Sequence, residues 1–220
     1  MRRVAAAGLV WLGVCASAAA QTAAPDRPGP YVVDLRGTTV SLPQDASVFP
    51  PVPSATAVPS RAWGLDVGAH VYLAQLGAAR LGIGGTFVRA RGTAAPSPPA
   101  TTAGSPAPPR TTPDVAALWT AVAPQVSFNF GSRAGWSYLS AGIGRAKLTT
   151  RASAFGTTPA RLLDTGTRST INFGGGARWF TKARLAFSFD VRFHMMGAGS
   201  GDTPAPGATV LAASVGLSLR

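Results

Sequence analysis

Eight stretches of this sequence alternate apolar with polar residues, and the connections between them run long, short, long, short, long, short, long. The stretches are 31–40, 62–74, 79–91, 117–130, 136–150, 168–180, 184–193 and 207–220. Period-two alternation sends successive side chains to opposite faces of a strand. In "RLAFSFDVRF" (184–193), Leu185, Phe187, Phe189, Val191 and Phe193 share one face; Arg184, Ala186, Ser188, Asp190 and Arg192 share the other. A sheet that runs up and down and closes on itself between two different surroundings sorts tight turns to one end and long loops to the other. A Greek-key sandwich has no reason to do so. Strands of about 12–14 residues also exceed the usual soluble length of about 5–6 and suit a tilted membrane crossing. The expected fold is all-β: an eight-stranded antiparallel up-and-down transmembrane β-barrel with short periplasmic turns and long extracellular loops.

Composition agrees. All 8 acidic residues are aspartates, and Lys147 and Lys182 are the only lysines, so the strong helix formers are scarce. Abundant Gly, Thr, Val, Ser and Phe favour strands and turns. The formal charge of +12 is a surplus of arginine scattered along the strands, not a basic arm or helix. That pattern points to phosphates of a membrane surface rather than to nucleic acid.

The first residues have a separate purpose. Arg2 and Arg3 precede an apolar run, Val4 to Val14, and Ala18-Ala19-Ala20 offers a small-x-small cleavage site. The expected organisation is a signal peptide over 1–20, an N-terminal linker over 21–30 and the barrel over 31–220. Cleavage removes Cys15, the one cysteine, and with it any disulfide frame or thiolate metal site. The Pro/Ala/Thr/Ser-rich segment 92–113 cannot bury apolar surface and reads as a mobile loop.

With the apolar face turned to lipid, the opposite face becomes a narrow polar lumen. The expected lumen network is Asp34, Arg36, Asp66, His70, Arg178, Arg184, Asp190 and Arg192, with Gln125, Asn129 and Asn172 of like parity. Gly82, Gly84, Gly174 and Gly176 share that face and relieve crowding. Buried charges need partners, so these aspartates and arginines are expected to pair. Trp63, Trp119, Trp136, Trp179 and Tyr31 lie near strand ends, where an interfacial belt places aromatic rings. Trp119 shares the parity of Ala121 and Ala123, opposite Val122 and Phe128, which weakens its place in that belt.

The signal, the eight-strand meander and the alternating C-terminal strand resemble the small outer-membrane β-barrels of the OmpA/OmpX kind. "GPYVVDLRG", "PQVSFNFG" and "WSYLSAGIG" are similar to segments of such proteins. The resemblance implies outer-membrane localisation, the barrel-assembly machinery as a partner, and a structural, adhesive or surface-interaction role; a few members modify lipids. Two departures stand out. The last strand ends in Arg220 where an aromatic residue is usual, and Pro124 removes a ladder donor inside a strand. A bulge or irregularity is expected at Pro124.

Little in the sequence selects a chemistry. Gly82-Ile-Gly84-Gly85 and Gly174-Gly-Gly176 precede no helical pattern, which a phosphate-binding loop requires. Asp66 and His194 are both expected near the long-loop end, where a metal or acid–base site is conceivable. Ordinary lumen side chains are the stronger reading, and no cofactor, metal or catalytic residue is assigned. Arg61, Arg89, Arg91, Lys147, Arg151, Arg161 and Arg168 are expected to ring the outer rim, where guanidinium groups can bind lipopolysaccharide phosphates. The expected function is that of a monomeric, non-enzymatic outer-membrane barrel without a wide pore. The alternatives are a soluble periplasmic, lipocalin-like carrier of an apolar ligand and a lipid-modifying barrel enzyme.

Overall fold

The computed structural model describes residues 29–48, 58–95, 113–132, 134–154, 157, 159–199 and 205–220. The expected signal peptide, residues 21–28 of the linker and residues 96–112 of the Pro/Ala/Thr segment lie outside the described residues.

The alternating stretches form strands β1 (Tyr31–Ser41), β2 (Arg61–Leu76), β3 (Ala79–Ala94), β4 (Val115–Ser132), β5 (Gly135–Ala152), β6 (Arg161–Phe180), β7 (Leu185–Met196) and β8 (Ala208–Leu219). Each pairs antiparallel with its chain neighbours, and β8 closes on β1. A row of cross-strand partners leaves β1 at Tyr31 and passes Val71, Ile83, Val126, Ala141, Phe173, Phe193 and Leu211. It returns to β1 at Ser41, ten residues further on. This stagger accompanies the strand tilt of about 35–45° found in membrane barrels of this size.

The wall is inside-out. Every residue of that row except Ala141 and Ser41 is a sizeable apolar or aromatic group, and the row faces outward. Leu35, Leu65, Ile143, Ile171, Phe187, Val215 and Leu217 are likewise exposed. Water would penalise such a surface at about 25 cal/mol per Å², so its solvent is the hydrocarbon of a bilayer.

Four details differ from the sequence expectation. β6 begins at Arg161, seven residues before the alternating stretch 168–180. The β6–β7 connection spans Thr181–Arg184 and takes in Arg184, the first residue of the stretch 184–193, because Leu185 N–H bonds to the Lys182 carbonyl and Leu185 C=O accepts from the Thr181 N–H. Pro124 gives the expected irregularity without a bulge: its outward position breaks the β4–β5 ladder between Val122 and Gln125, and the register continues unchanged. The shifts fall instead at Tyr72/Ala74 and Lys147/Thr149. Of the aromatic belt, Tyr31, Trp63 and Trp179 face outward, whereas Trp119 and Trp136 are buried inside.

The lumen is layered along the barrel axis. At the short-turn end Val32, Tyr72 and Trp136 pack together against Phe180. At the long-loop end Val40, Val88, Trp119, Leu148, Met196 and Val210 form an apolar layer, and Leu42 and Val48 from the β1–β2 loop join it. A short 3-10 turn at Ala46–Val48 carries Val48 inward, with the Asp45 carboxylate accepting from the Ser47 hydroxyl and N–H at 2.7 and 2.9 Å. Those two bonds hold the exposed Asp45 carboxyl below its ordinary pKa. Charged and polar groups occupy the middle.

Candidate functional site

The middle layer is built by residues of even number on every strand but β4, where the odd-numbered residues face inward. Alternation aims them inward, and the barrel's small radius brings distant strands within reach. Arg178 forks onto Asp34, Nε to Oδ1 at 2.9 Å and Nη2 to Oδ2 at 2.6 Å. Arg36 reaches both Asp34 at 2.7 Å and Asp66 at 3.1 Å, and also donates to the Ser188 hydroxyl. Arg192 forks onto Asp190 at 3.2 and 2.9 Å and donates to Asn172 and Ser140. Thr86 donates to Asp66, Ser218 to Asp34, and Gln125 to Asn172. Three aspartates and three arginines thus share one layer, each at most 5% exposed. Paired, hydrogen-bonded and electrically balanced, they meet the conditions under which buried charge is tolerated.

Tyr138 ties the layer together and was not singled out from the sequence. Its hydroxyl donates to Asp190 at 2.7 Å and accepts from Arg36 at 3.1 Å, while the Arg178 guanidinium lies 4.0 Å from its ring centroid. Its parity with Ser140 in "WSYLSAGIG" is the signal that places it inside.

Two expected members make none of the network's hydrogen bonds. Arg184 is exposed in the β6–β7 turn, because β7 starts one residue later. His70 is buried in the lumen, yet neither ring nitrogen has a hydrogen-bond partner among the described residues. Asp66 and His194 receive different surroundings: Asp66 is held by Arg36 and Thr86, whereas His194 meets Trp119 edge-on at 4.8 Å. The described residues contain no group of three metal-capable side chains.

The rim arginines divide as well. Arg61, Arg89, Arg91 and Arg151 face outward near the long-loop ends of their strands. Lys147 does too, and pairs with Asp164 at 2.5 Å. Arg145, absent from the expected rim, joins them on the same face of β5. Only the backbone of Arg161 is described; its side chain lies outside the described residues. Arg168 is not a rim residue: it points inward, is 1% exposed, and donates from Nη1 to the Pro206 carbonyl at 3.1 Å. It shares the inward parity of Thr170 and Asn172. The outward cations therefore occupy β2, β3 and β5, and Arg61, Arg89, Arg91, Arg145 and Arg151 make no ion pair among the described residues.

No protein-family model matches the chain, and no curated protein sequence matches it. Solved structures do. The crystal structure of Neisserial surface protein A is similar over 87% of this chain and 97% of that one, at 9% identity and a TM-score of 0.53. Ail, the attachment invasion locus protein of Yersinia pestis, solved with the heparin analogue sucrose octasulfate, is matched over 86% and 95% at 12% identity and a TM-score of 0.44. The outer-membrane protease OmpT from Escherichia coli is matched over 90% and 99% at 8% identity and a TM-score of 0.43. At these identities the likeness is one of fold. A closed ring of eight antiparallel strands with an apolar outer wall defines the class, an outer-membrane β-barrel protein. Within that class its fold is similar to that of Neisserial surface protein A over nearly the whole of the latter's length.

Proposed function

We propose that this chain is a sealed surface barrel: a monomeric structural or surface-interaction protein, inserted by the barrel-assembly machinery, that neither conducts through a wide pore nor catalyses a reaction. The filled lumen carries the reading. A balanced charged layer, its aspartates and arginines paired across the lumen, lies between an aromatic layer and an apolar layer. Among the described residues neither histidine hydrogen-bonds a serine or an aspartate, so no nucleophile–base pair is set up. The outward apolar face argues against a soluble lipocalin-like carrier, whose apolar face lines its cavity.

Purified barrel in planar bilayers is the direct test. The expected record is free of large, steady conductance steps; their appearance overturns the sealed-lumen reading. Lipid A acyl-chain analysis with and without expression tests the non-enzymatic part, with an unchanged pattern expected.

The outward arginines supply the partner: phosphates of lipopolysaccharide in the outer leaflet. Arg61, Arg89 and Arg91 present guanidinium groups on the long-loop side of Val67 and Phe87, with Arg89 level with Leu65 and Arg91 level with Trp63, at the border between hydrocarbon and head groups. Replacing these three with glutamine is expected to weaken lipopolysaccharide association and flatten its salt dependence. Association and salt dependence that stay the same remove lipopolysaccharide as the partner.

A further inference from the structure

Resting on the phosphate-contact reading, we infer that Trp63 stands between the two halves of one lipid site, a basic cleft for a phosphorylated head group and an apolar groove for an acyl chain of the same lipid A molecule. The register puts these parts side by side. On the outward face, Trp63 has Arg91 as its cross-strand neighbour on β3 and Thr39 on β1, and Thr39 in turn faces Ala213 on β8. Arg61 lies two residues above Trp63 on the same face, about 6–7 Å along the strand.

On the β3 side, Arg61, Trp63 and Arg91 line a recess of about 370 Å³ together with Pro59, Gly92 and Thr93. Its arginines have no protein counter-charge among the described residues. On the β8 side, Trp63 borders a second recess of about 390 Å³, floored by Gly37, Thr39 and Ala213 and walled by Phe189, Val191 and Val215. Phe189 and Val215 lie toward the short-turn end, so this groove runs from Trp63 down into the apolar band. Small residues make it: Gly37 sits where its neighbours carry leucine, valine or phenylalanine. An unpaired cationic cleft joined at a tryptophan to a groove in the lipid-facing wall matches an amphiphile with an anionic head. In the outer leaflet that occupant is lipid A, whose phosphates suit bidentate guanidinium contacts.

The two halves can be disabled separately. A Cβ on Gly37 would meet only the Val215 carbonyl oxygen at 3.9 Å, so Gly37→Leu fills the groove without disturbing the barrel. Arg61→Gln with Arg91→Gln removes the cleft's charge. Full-length protein in neutral detergent is titrated, by native mass spectrometry, with bisphosphorylated lipid A, dephosphorylated lipid A and phosphatidylglycerol. Heat-modifiable gel mobility verifies that each variant is folded. Bisphosphorylated lipid A is expected to bind best. The double charge variant should lose about tenfold in affinity, as for two charge-assisted bonds partly screened at a surface. Gly37→Leu should lose about threefold, through lost van der Waals contacts between the acyl chain and the groove, since that chain leaves hydrocarbon and not water. Loss through the arginines but not through Gly37→Leu overturns the joint site and leaves the phosphate-contact reading standing. Loss through Gly37→Leu alone, or through neither, overturns both. Equal or tighter binding of phosphatidylglycerol overturns the assignment to lipid A.

Discussion

Arginine serves two opposite purposes in this barrel, and the comparison between the lumen and the outer wall shows why. Arg36, Arg178 and Arg192 are inside, and every one is within bonding distance of an aspartate. Arg61, Arg89 and Arg91 are outside, and none has a carboxylate partner among the described residues. In the middle of the lumen an unpartnered charge would face low-dielectric protein, so the sequence supplies its counter-charge at matching parity; Arg168, inward nearer the long loops, has the Pro206 carbonyl instead. At the border of the bilayer the counter-charge belongs to the surroundings. The same side chain is therefore a fixed part of the fold in one place and an unfilled contact in the other.

Cutting the inner set should hurt most. Asp34→Ala leaves Arg178 and Arg36 facing each other without their shared carboxylate, and breaking a buried pair in this way costs about 3–5 kcal/mol. Urea unfolding in lipid vesicles, followed by loss of the heat-modifiable form, is the measurement. Arg89→Gln in the same assay is expected to stay within about 0.5 kcal/mol. Equal effects would abolish the distinction between the two sets.

Backbone packing draws the same line between inside and outside. A Cβ on inward Gly84 would lie 2.0 Å from the Ala69 carbonyl oxygen and 2.7 Å from His70 Cα, so Gly84→Ala forces two strands apart. Overpacking of this kind costs about 1–3 kcal/mol. Gly37→Ala, with open space outside, should be neutral to within about 0.5 kcal/mol. The next effect is that of a single hydroxyl. Tyr138→Phe keeps the ring under Arg178 but deprives Asp190 of a donor and Arg36 of an acceptor, a loss of about 1–2 kcal/mol by the same unfolding assay. A smaller loss would show that Arg192 alone satisfies Asp190.

Parity was the most legible property of this sequence, because one alternation fixes every side chain of a strand at once. Asp34, Arg36, Asp66, Arg178, Asp190 and Arg192 follow from it, and all six lie in the lumen. Arg168 and Arg145 obeyed the same rule, inward with Thr170 and outward with Lys147, but were sorted by nearness to a loop instead. Trp136 departs from the belt for a related reason: position at a strand end sets depth and says nothing of face, whereas Trp119 lies inside as its shared parity with Ala121 and Ala123 indicates. Strand ends were poorly legible. β6 gains its first residues by pairing with β5 across the shift at Lys147/Thr149, and β7 loses Arg184 to a turn held by backbone hydrogen bonds. Which arginine forks onto which aspartate depends on the closure of β8 on β1, a non-local fact that no single strand encodes.

Lys147 is the exception that sharpens the contrast, since it is an outward cation with a protein partner. Its ion pair with Asp164 is more than 40% exposed on both sides, a setting in which such pairs contribute about 0–1 kcal/mol. Lys147→Ala should therefore change unfolding by less than about 0.5 kcal/mol. It should also weaken lipopolysaccharide association less than Arg91→Gln does, because Asp164 already neutralises much of its field and would repel a lipid phosphate once exposed. Binding to lipopolysaccharide vesicles at low and moderate salt separates the cases. If Lys147→Ala weakens association as much as Arg91→Gln, pairing on the outer wall makes no difference, and total charge rather than unpaired charge governs contact with the leaflet.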